Sequence, residues 1–221
     1  MGRTSAIVST VVLASLLAGC EDPPAWGELS SIIAITSDEQ WDVLGERVEL
    51  ALEATIQTVR AEKTFRVTHQ PPTGVAWGNM KRFRQILLIG AADSPWMVEA
   101  LALTRRESFN PPELFQVEDL WARGQTATVL LLASEGADGA DELLEPLHEL
   151  LDGQYRTWVR NRMFMSGLDS LLADSLWNEA GFSILFPALY ELRTVDSVYI
   201  FLNDNPDPSE LIRQITVTWR S

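Results

Sequence analysis

The chain has 221 residues, of which 46% are hydrophobic and 22% charged, so its composition is that of a globular protein with a sizeable core. Its formal net charge of -14 repels nucleic acid and anionic headgroups at long range, which excludes nucleic-acid binding. It contains a single cysteine, Cys20, so no disulfide can form within it.

The first twenty residues have the pattern of a lipoprotein export signal. Arg3 supplies a short positive region, and the apolar stretch 6–17 is shorter than the about 20 residues that a membrane-spanning helix needs. It ends in Leu17-Ala18-Gly19-Cys20, which resembles the lipobox at which a signal peptidase cuts before a lipid-modified cysteine. We therefore predict cleavage between Gly19 and Cys20 and a lipid anchor on Cys20, because several acyl chains give stable membrane attachment.

This start defines the predicted domains. Residues 1–19 are the signal, 20–29 the lipidated cysteine with a flexible tether, and 30–221 one folded domain. The expected location is the cell envelope, with the outer membrane as the expected membrane, at its periplasmic face or at the cell surface.

Residues 31–36 form a predicted buried strand, and Ser37 follows as the cap of a helix, with Gln40 completing a capping-box pattern. Apolar residues at spacings of three and four then predict that this helix continues to about residue 60. Its stripe consists of Trp41, Leu44, Val48, Leu52, Ile56 and Val59.

The rest of the chain alternates between strands and helices. Predicted helices cover 94–105, where Ser94-Pro95 makes a good start, 141–164, and 168–179, which ends at Gly181. The predicted strands are 65–70, 84–91, 114–122, 126–133, 182–186, 197–202 and 211–219.

This order predicts an α+β fold with a mostly antiparallel sheet and helices packed on one face. Four apolar strands run into Asp, Ser or Asn turns, in IIAITSDE, QILLIGAADSP, TVLLLASEGAD and YIFLNDNPDPS. That similarity suggests a duplication, with pseudo-repeats 31–122 and 126–220 forming two ferredoxin-like halves. Common turn chemistry at strand ends is the alternative explanation of the similarity.

Several segments carry a family resemblance. They are the signal with Cys20, Trp41 in the first helix, FRVTHQPP at 65–72, RTWVRNRMF at 156–164, FSILFPALYEL at 182–192, and the strands VYIFLND and ITVTW. On these the chain resembles an uncharacterised family of bacterial envelope lipoproteins, the domain of unknown function four-eight-three-seven. The resemblance implies an envelope location and brings no catalytic residue or ligand.

The best functional candidate is an anion-binding patch on the long helix. Arg156 and Arg160 lie four residues apart and hence on one face, and Arg162 is close by. Guanidinium groups suit carboxylate and phosphate, and Lys81, Arg82, Arg84, Arg105 and Arg106 could extend the patch. Ion pairing with neighbouring acids is the alternative reading of these arginines.

Other chemistry finds little support in the sequence. A Gly-x-Ser-x-Gly motif is absent, and His69 and His148 lack the spacing of a zinc site, so we predict no metal, cofactor or catalytic residue. The loop 203–207 has oxygen ligands but lacks a full calcium-binding loop, which favours a plain turn. Core packing explains most tryptophans, with Trp26 and Trp77 the candidates for an exposed platform.

The sequence thus predicts a non-catalytic lipoprotein. It is attached to the membrane by its N-terminal lipid and binds an envelope protein or polymer through its sheet or its arginine-bearing helix. The alternative is a periplasmic hydrolase or transferase that uses carboxylates, which would need a concave pocket holding two acids.

Overall fold

The computed structural model describes residues 22–57, 59–203 and 213–219, so the predicted signal, Gly19 and Cys20 lie outside the described residues. The fold is α+β, with five helices and ten strands in three sheets within these ranges. Two compact units divide the chain, unit 1 up to Leu151 and unit 2 from Asp152. The predicted single domain over 30–221, with possible pseudo-repeats 31–122 and 126–220, stays a prediction; the division between the two units falls between Leu151 and Asp152.

Unit 1 contains a five-stranded sheet in the order β4-β1-β5-β7-β6 and a separate hairpin of β2 and β3. Its strands are β1 (Ser31–Ile35), β2 (Thr55–Gln57), β3 (Ala61–Lys63), β4 (Arg66–Gln70), β5 (Gln85–Ala91), β6 (Glu113–Glu118) and β7 (Thr126–Leu132). Its helices are α1 (Asp38–Leu52), α2 (Gly74–Met80) and α3 (Pro95–Leu103), and α4 (Asp141–Met163) continues past the unit boundary.

The five-stranded sheet is mostly parallel, which corrects the predicted antiparallel sheet. Strands β4, β1, β5 and β7 all run in one direction, and only the edge strand β6 is antiparallel, beside β7. Parallel neighbours need long crossover connections, and here α1, α2 and α3 lie in the connections that leave β1, β4 and β5. The four parallel strands all begin at one side of the sheet, which we call the amino edge. They all end at the opposite side, which we call the carboxyl edge.

Helices cover both faces of this sheet, not the one face that we predicted. Ile33, Leu88 and Val129 pack with Met97 of α3 in one buried cluster. On the opposite face His69, which pairs in register with Ala34, stacks on Trp41 of α1. All seven residues of β5 and of β7 are buried, as expected of a parallel sheet. Binding of an envelope partner through a sheet surface stays a prediction.

Helix α1 begins as predicted and ends earlier than predicted. Ser37 Oγ accepts a hydrogen bond from the backbone N–H of Gln40 at 3.2 Å, which confirms the cap. The helix stops at Leu52, and the β2–β3 hairpin follows instead of two more helical turns. Glu53, the residue after the helix, explains why it stops there. Its carboxylate accepts a hydrogen bond from the backbone N–H of Val67 at 2.9 Å and forms an ion pair with Lys63, and the bond to Val67 ties the chain to β4.

The described part of the predicted tether is docked at the amino edge. Trp26 N–H donates to the carbonyl of Arg82 at 3.0 Å, and Ala25 N–H donates to that of Arg123 at 2.9 Å. The ring of Phe83 meets Trp26 edge-on with centroids 4.7 Å apart. Gly27 has φ 102°, and a Cβ there would lie 2.6 Å from Phe83, so glycine is required at this position. Residues 23–27 are thus fixed to unit 1 rather than free.

Unit 2 contains α5 (Ser170–Ala180) and an antiparallel sheet of β8 (Glu191–Val195), β9 (Val198–Asn203) and β10 (Arg213–Val217), in the order β10-β9-β8. Phe186, Phe201 and Leu176 form its small core. Gly181 ends α5 in the left-handed conformation with φ 75°, as predicted. The predicted strand at 182–186 is irregular, and β8, which was not predicted, pairs with β9 instead.

Candidate functional site

Three loops meet at the carboxyl edge of the sheet in unit 1. They follow β1, β5 and β7, which lie side by side. The chain passes from β1 to β4 on one side and then to β5 on the other, so the strand order reverses between β1 and β5. Ligands of open α/β sheets bind at such a reversal, outside the carboxyl ends of the strands.

A pocket of about 370 Å³ opens there, a size within the range of small-molecule sites. The loop after β1 and the start of α1 form one wall, the start of α3 forms a second, and the loop after β7 forms the third. The lining residues are Ser37, Glu39, Gln40, Val43, Leu44, Ser94, Trp96, Glu135, Gly136 and Ala137.

Gln40 holds the first and third walls together. Its Oε1 accepts a hydrogen bond from Thr36 Oγ1 at 2.6 Å, and its Nε2 donates to the carbonyl of Glu135 at 3.1 Å. Thr36 is fully buried and Gln40 is 8% exposed. Buried polar groups are stable only when they are paired, so this side chain fixes the loop after β7 against the start of α1.

Trp96 forms the second wall. Its Nε1 donates to the carbonyl of Ile89 at 3.0 Å, which orients the indole over the end of β5. Gly90 lies beneath it, and a Cβ at that position would come within 3.1 Å of the ring. The indole therefore lies directly against the backbone of the sheet, with one part of its surface open to the pocket.

His69 lies at the same edge, at the end of β4. Its ring stacks on Trp41 with centroids 4.8 Å apart and an interplanar angle of 4°. Its Nε2 is 3.0 Å from the carbonyl oxygen of Thr36, so this nitrogen donates, and Nδ1 faces Asp38 Oδ1 at 3.9 Å. The histidine ties β4 to the end of β1, in agreement with the predicted structural role at a strand end.

The pocket has an acidic and hydroxylated lining. Glu39 and Glu135 approach from different elements, and the two serines add hydroxyl groups, whereas no lysine or arginine contributes to the lining. Among the described residues of unit 1, two carboxyl groups have a lowered pKa, and neither lines the pocket. Burial raises the pKa of Glu53, but the hydrogen bonds from Lys63 and Val67 outweigh it; at Glu113 the hydrogen bond from Arg106 lowers the pKa.

The predicted anion-binding arginines lie on α4. Arg156, Arg160 and Arg162 are all exposed. Arg156 Nε pairs with Asp152 Oδ2 at 2.6 Å, four residues before it, and the guanidinium of Arg162 lies 5.4 Å from the ring centroid of Trp158. Arg156 is thus ion-paired with a neighbouring acid, as the alternative interpretation predicted. An anion-binding patch on this helix stays a prediction.

The other predicted candidates are dispersed. Residues 204–207 lie outside the described residues, and Asn203 ends β9. Trp26 is 46% exposed, whereas Trp77 is half-buried and meets Trp121 edge-on. His148 is half-buried on α4. Over the described ranges, no three metal-binding side chains cluster, and no helix is long and apolar enough to cross a membrane.

The pocket residues were missed by sequence reasoning, although their signal was present. The turns TSDEQ, ADSPW and ASEGA follow three of the four strands whose likeness suggested a duplication. The structure brings these three turns to one edge of one sheet. The similarity of these turns therefore reflects a common position in the fold. The carboxyl ends of neighbouring parallel strands lie together, so the turns that follow them do as well.

Unit 1 is therefore an α/β unit with a mostly parallel sheet and a pocket at its strand-order reversal. Residues 25–152 match the model of Domain of unknown function (DUF8532), and the chain belongs to this family. The match corrects the predicted membership of the family four-eight-three-seven, which rested partly on segments of unit 2 beyond the matched residues. The match covers unit 1 from residue 25 to its last residue, Leu151, and extends one residue beyond it. No curated protein and no solved structure matches the chain significantly.

Proposed function

We propose that this chain is a lipid-anchored protein of the cell envelope whose unit 1 binds a small polar ligand in the carboxyl-edge pocket without transforming it. The observation that carries the ligand part is the pocket of about 370 Å³ at the strand-order reversal, held open by the buried hydrogen bonds of Gln40. A preformed pocket costs little ordering on binding, which favours recognition of a small molecule.

The anchor part rests on the sequence of the first twenty residues. Cys20 is the only thiol, it follows an apolar stretch and two small residues, and the docked segment of unit 1 starts three residues later at Pro23. We infer attachment through a thioether-linked lipid on Cys20, with the outer membrane, at its periplasmic face or at the cell surface, as the proposed location.

Labelling with a fatty acid in the producing bacterium tests the anchor. The wild-type chain is expected to incorporate the label and to fractionate with membranes. The Cys20→Ser variant is expected to lose the label and to leave the membrane fraction. Label in the variant, or its absence from the wild-type chain, would contradict the anchor.

The lining indicates the class of ligand. Two carboxylates, two hydroxyls and an indole, with no cation, disfavour an anion and suit a hydroxylated or amine-bearing molecule. A photo-crosslinking side chain placed at Val43, which lines the pocket, should capture this ligand in cells. The same side chain at Leu50, exposed on the same helix and outside the pocket, is the matched control. Equal capture at both positions would refute a ligand in the pocket.

An enzyme that uses carboxylates is the second candidate, because Glu39 and Glu135 line one pocket from different elements. The captured molecule separates the two functions. Recovery of an intact ligand supports binding alone. A cleaved product supports catalysis if Glu39→Gln or Glu135→Gln abolishes cleavage while capture persists.

The exposed arginines of α4 support a further contact of the proposed protein, with an acidic envelope protein or polymer. Arg160 and Arg162 lie in the last turn of the helix. An Arg160→Gln, Arg162→Gln double variant should recover less of such a partner from membranes than the wild type. Equal recovery would count against this contact.

A further inference from the structure

We infer that the carboxyl-edge pocket takes a free α-amino acid with an apolar side chain, whose ammonium group meets Glu39 and Glu135 and whose carboxylate lies at the start of α3. The inference rests on the proposed function and deepens it, because it names the class of the small polar ligand. It follows from a pocket that is acidic on one side and has unused hydrogen-bond donors on the other.

The acidic side of the pocket consists of Glu39 on α1 and Glu135 in the loop after β7. Both residues are exposed, and neither is ion-paired with a described residue. Arg47 reaches this rim, since its Nη2 donates to the carbonyl of Val43 at 3.3 Å, but its Nη1 is paired with Asp141 at 2.6 Å. Two carboxylates without a cation beside them suit an ammonium group.

Three more acids adjoin the lining. Asp38, Asp93 and Asp138 each lie next in sequence to a lining residue without lining the pocket themselves, and all three are exposed. Solvent and salt screen their charges in part, and what remains adds to the preference for a cation. A ligand with a negative charge alone is therefore disfavoured, and a carboxylate is accepted only where donors meet it.

The start of α3 supplies such donors. Ser94 directly precedes the helix and is 3% exposed. Its hydroxyl does not cap the helix and makes no hydrogen bond with another described residue. Buried hydroxyls are usually hydrogen-bonded. Because Ser94 lines the pocket, a ligand there would provide the partner that this hydroxyl lacks.

The backbone at the start of α3 adds a second donor. Pro95 has no N–H, and the N–H groups of Met97 and Val98 both donate to the carbonyl of Ser94 at 2.9 Å. The N–H of Trp96 has no backbone partner among the described residues. The first turn of α3 contains no acid, so its own residues do not neutralise the positive end of the helix dipole. A free N–H and a free hydroxyl at a helix N-terminus suit a carboxylate.

The start of α1 does not compete for this carboxylate. Ser37 accepts the N–H of Gln40 at 3.2 Å, and Asp38 and Glu39 occupy the first turn. The positive end of α1 is thus already satisfied by its own residues, whereas that of α3 is open. The pocket therefore has two poles, and an α-amino acid carries a group complementary to each, an ammonium and a carboxylate.

The remaining lining is apolar and suits the side chain of such a ligand. Val43, Leu44 and Ala137 contribute alkyl groups, and Trp96 contributes its indole. The indole Nε1 is already bonded to the carbonyl of Ile89, so the ring offers apolar surface rather than a donor. The volume of about 370 Å³ is at the low end of small-molecule sites, which fits a single amino acid.

Equilibrium dialysis of the purified full chain against radiolabelled L-phenylalanine and L-leucine tests the inference. We expect saturable binding of both. Displacement of the labelled phenylalanine then compares two analogues. 2-Phenylethylamine, which lacks only the carboxylate, should bind about tenfold more weakly, because it forfeits a charge-assisted hydrogen bond. 3-Phenylpropionate, which lacks only the ammonium group, should not displace phenylalanine, because it brings a negative charge to an acidic pocket.

Variants of the two poles test the orientation of the ligand. Ser94→Ala should weaken phenylalanine about tenfold and leave 2-phenylethylamine unchanged, because only phenylalanine has a carboxylate for this hydroxyl. Glu39→Gln and Glu135→Gln should each weaken both ligands about fivefold, since an ion pair at a solvent-exposed rim contributes up to about that factor. Ser108→Ala and Glu49→Gln, at exposed positions outside the lining, are the matched controls and should change neither affinity.

Three results would overturn the inference. They are no saturable binding of either amino acid, equal affinity for phenylalanine and 2-phenylethylamine, and an equal loss of both ligands in Ser94→Ala. The proposed function fails in a different way. Capture at Val43 of a molecule without a free ammonium or carboxylate overturns the amino-acid class and leaves the pocket a ligand site. Equal capture at Val43 and Leu50, with no binding of either amino acid, overturns both.

Discussion

Replacement of Gln40 tests whether one buried amide holds the pocket together. In Gln40→Leu, the hydroxyl of the fully buried Thr36 loses its acceptor, and an unsatisfied buried group costs about 1–3 kcal/mol. The carbonyl of Glu135 also loses its donor, but this residue is exposed and water replaces the bond. We expect the free energy of unfolding of unit 1 to fall by about 2 kcal/mol.

A urea titration followed by tryptophan fluorescence measures this loss. Gln57→Leu, the same change at an exposed position of β2, is the control and should cost less than about 0.5 kcal/mol. Adding Thr36→Val to Gln40→Leu removes both partners, so the double variant should be more stable than the sum of the single losses by about 1 kcal/mol. Strict additivity, or equal losses in Gln40→Leu and Gln57→Leu, would refute the reasoning.

Two further changes test the core and the acid sensitivity of unit 1. Glu53→Gln should remove stability that is present above the ordinary carboxyl pKa of 4.5 and is lost as pH falls below it, because the pKa of Glu53 is lowered in the folded state. Urea midpoints at neutral and acid pH measure this, and the exposed Glu49→Gln is the control. Leu88→Ala, fully buried in β5, should cost about 2–5 kcal/mol, against less than about 0.5 kcal/mol for the exposed Leu50→Ala.

These two predictions have separate contrary outcomes. If Glu53→Gln and the wild type lose stability in parallel below pH 4.5, the lowered pKa does not contribute to folding. If Leu88→Ala costs no more than Leu50→Ala, β5 is not at the centre of the core.

Most elements could be predicted from local pattern. The cap at Ser37, the run into β5, the Ser94-Pro95 start of α3 and the stop at Gly181 all lie where the sequence predicted them. Each depends on neighbours within a few residues, such as a side chain that accepts a nearby N–H or a glycine that tolerates positive φ. Such signals can be read without knowledge of the rest of the chain.

The predictions that differ from the structure concern segments whose conformation depends on contacts with residues far away in the sequence. The apolar spacing of Ile56 and Val59 continued the helical stripe, but Glu53 bonds to Val67 and Lys63 and turns the chain into a hairpin. Residues 23–27 appeared to be a proline-bearing tether, yet they find hydrogen-bond partners about 60 and 100 positions further along. No local pattern reports a bond to a residue so far away.

The sequence by itself determined the position of most helices and strands, because a cap and a periodic apolar stripe are local properties. Cleavage before Cys20 stays a prediction from the same kind of local pattern. The tertiary structure decided the direction of the strands, and with it the site. Parallel pairing of β1, β5 and β7 places three loops from distant parts of the chain at one edge. Strand direction follows from how helices pack across the whole sheet, so the pocket exists only in the folded unit.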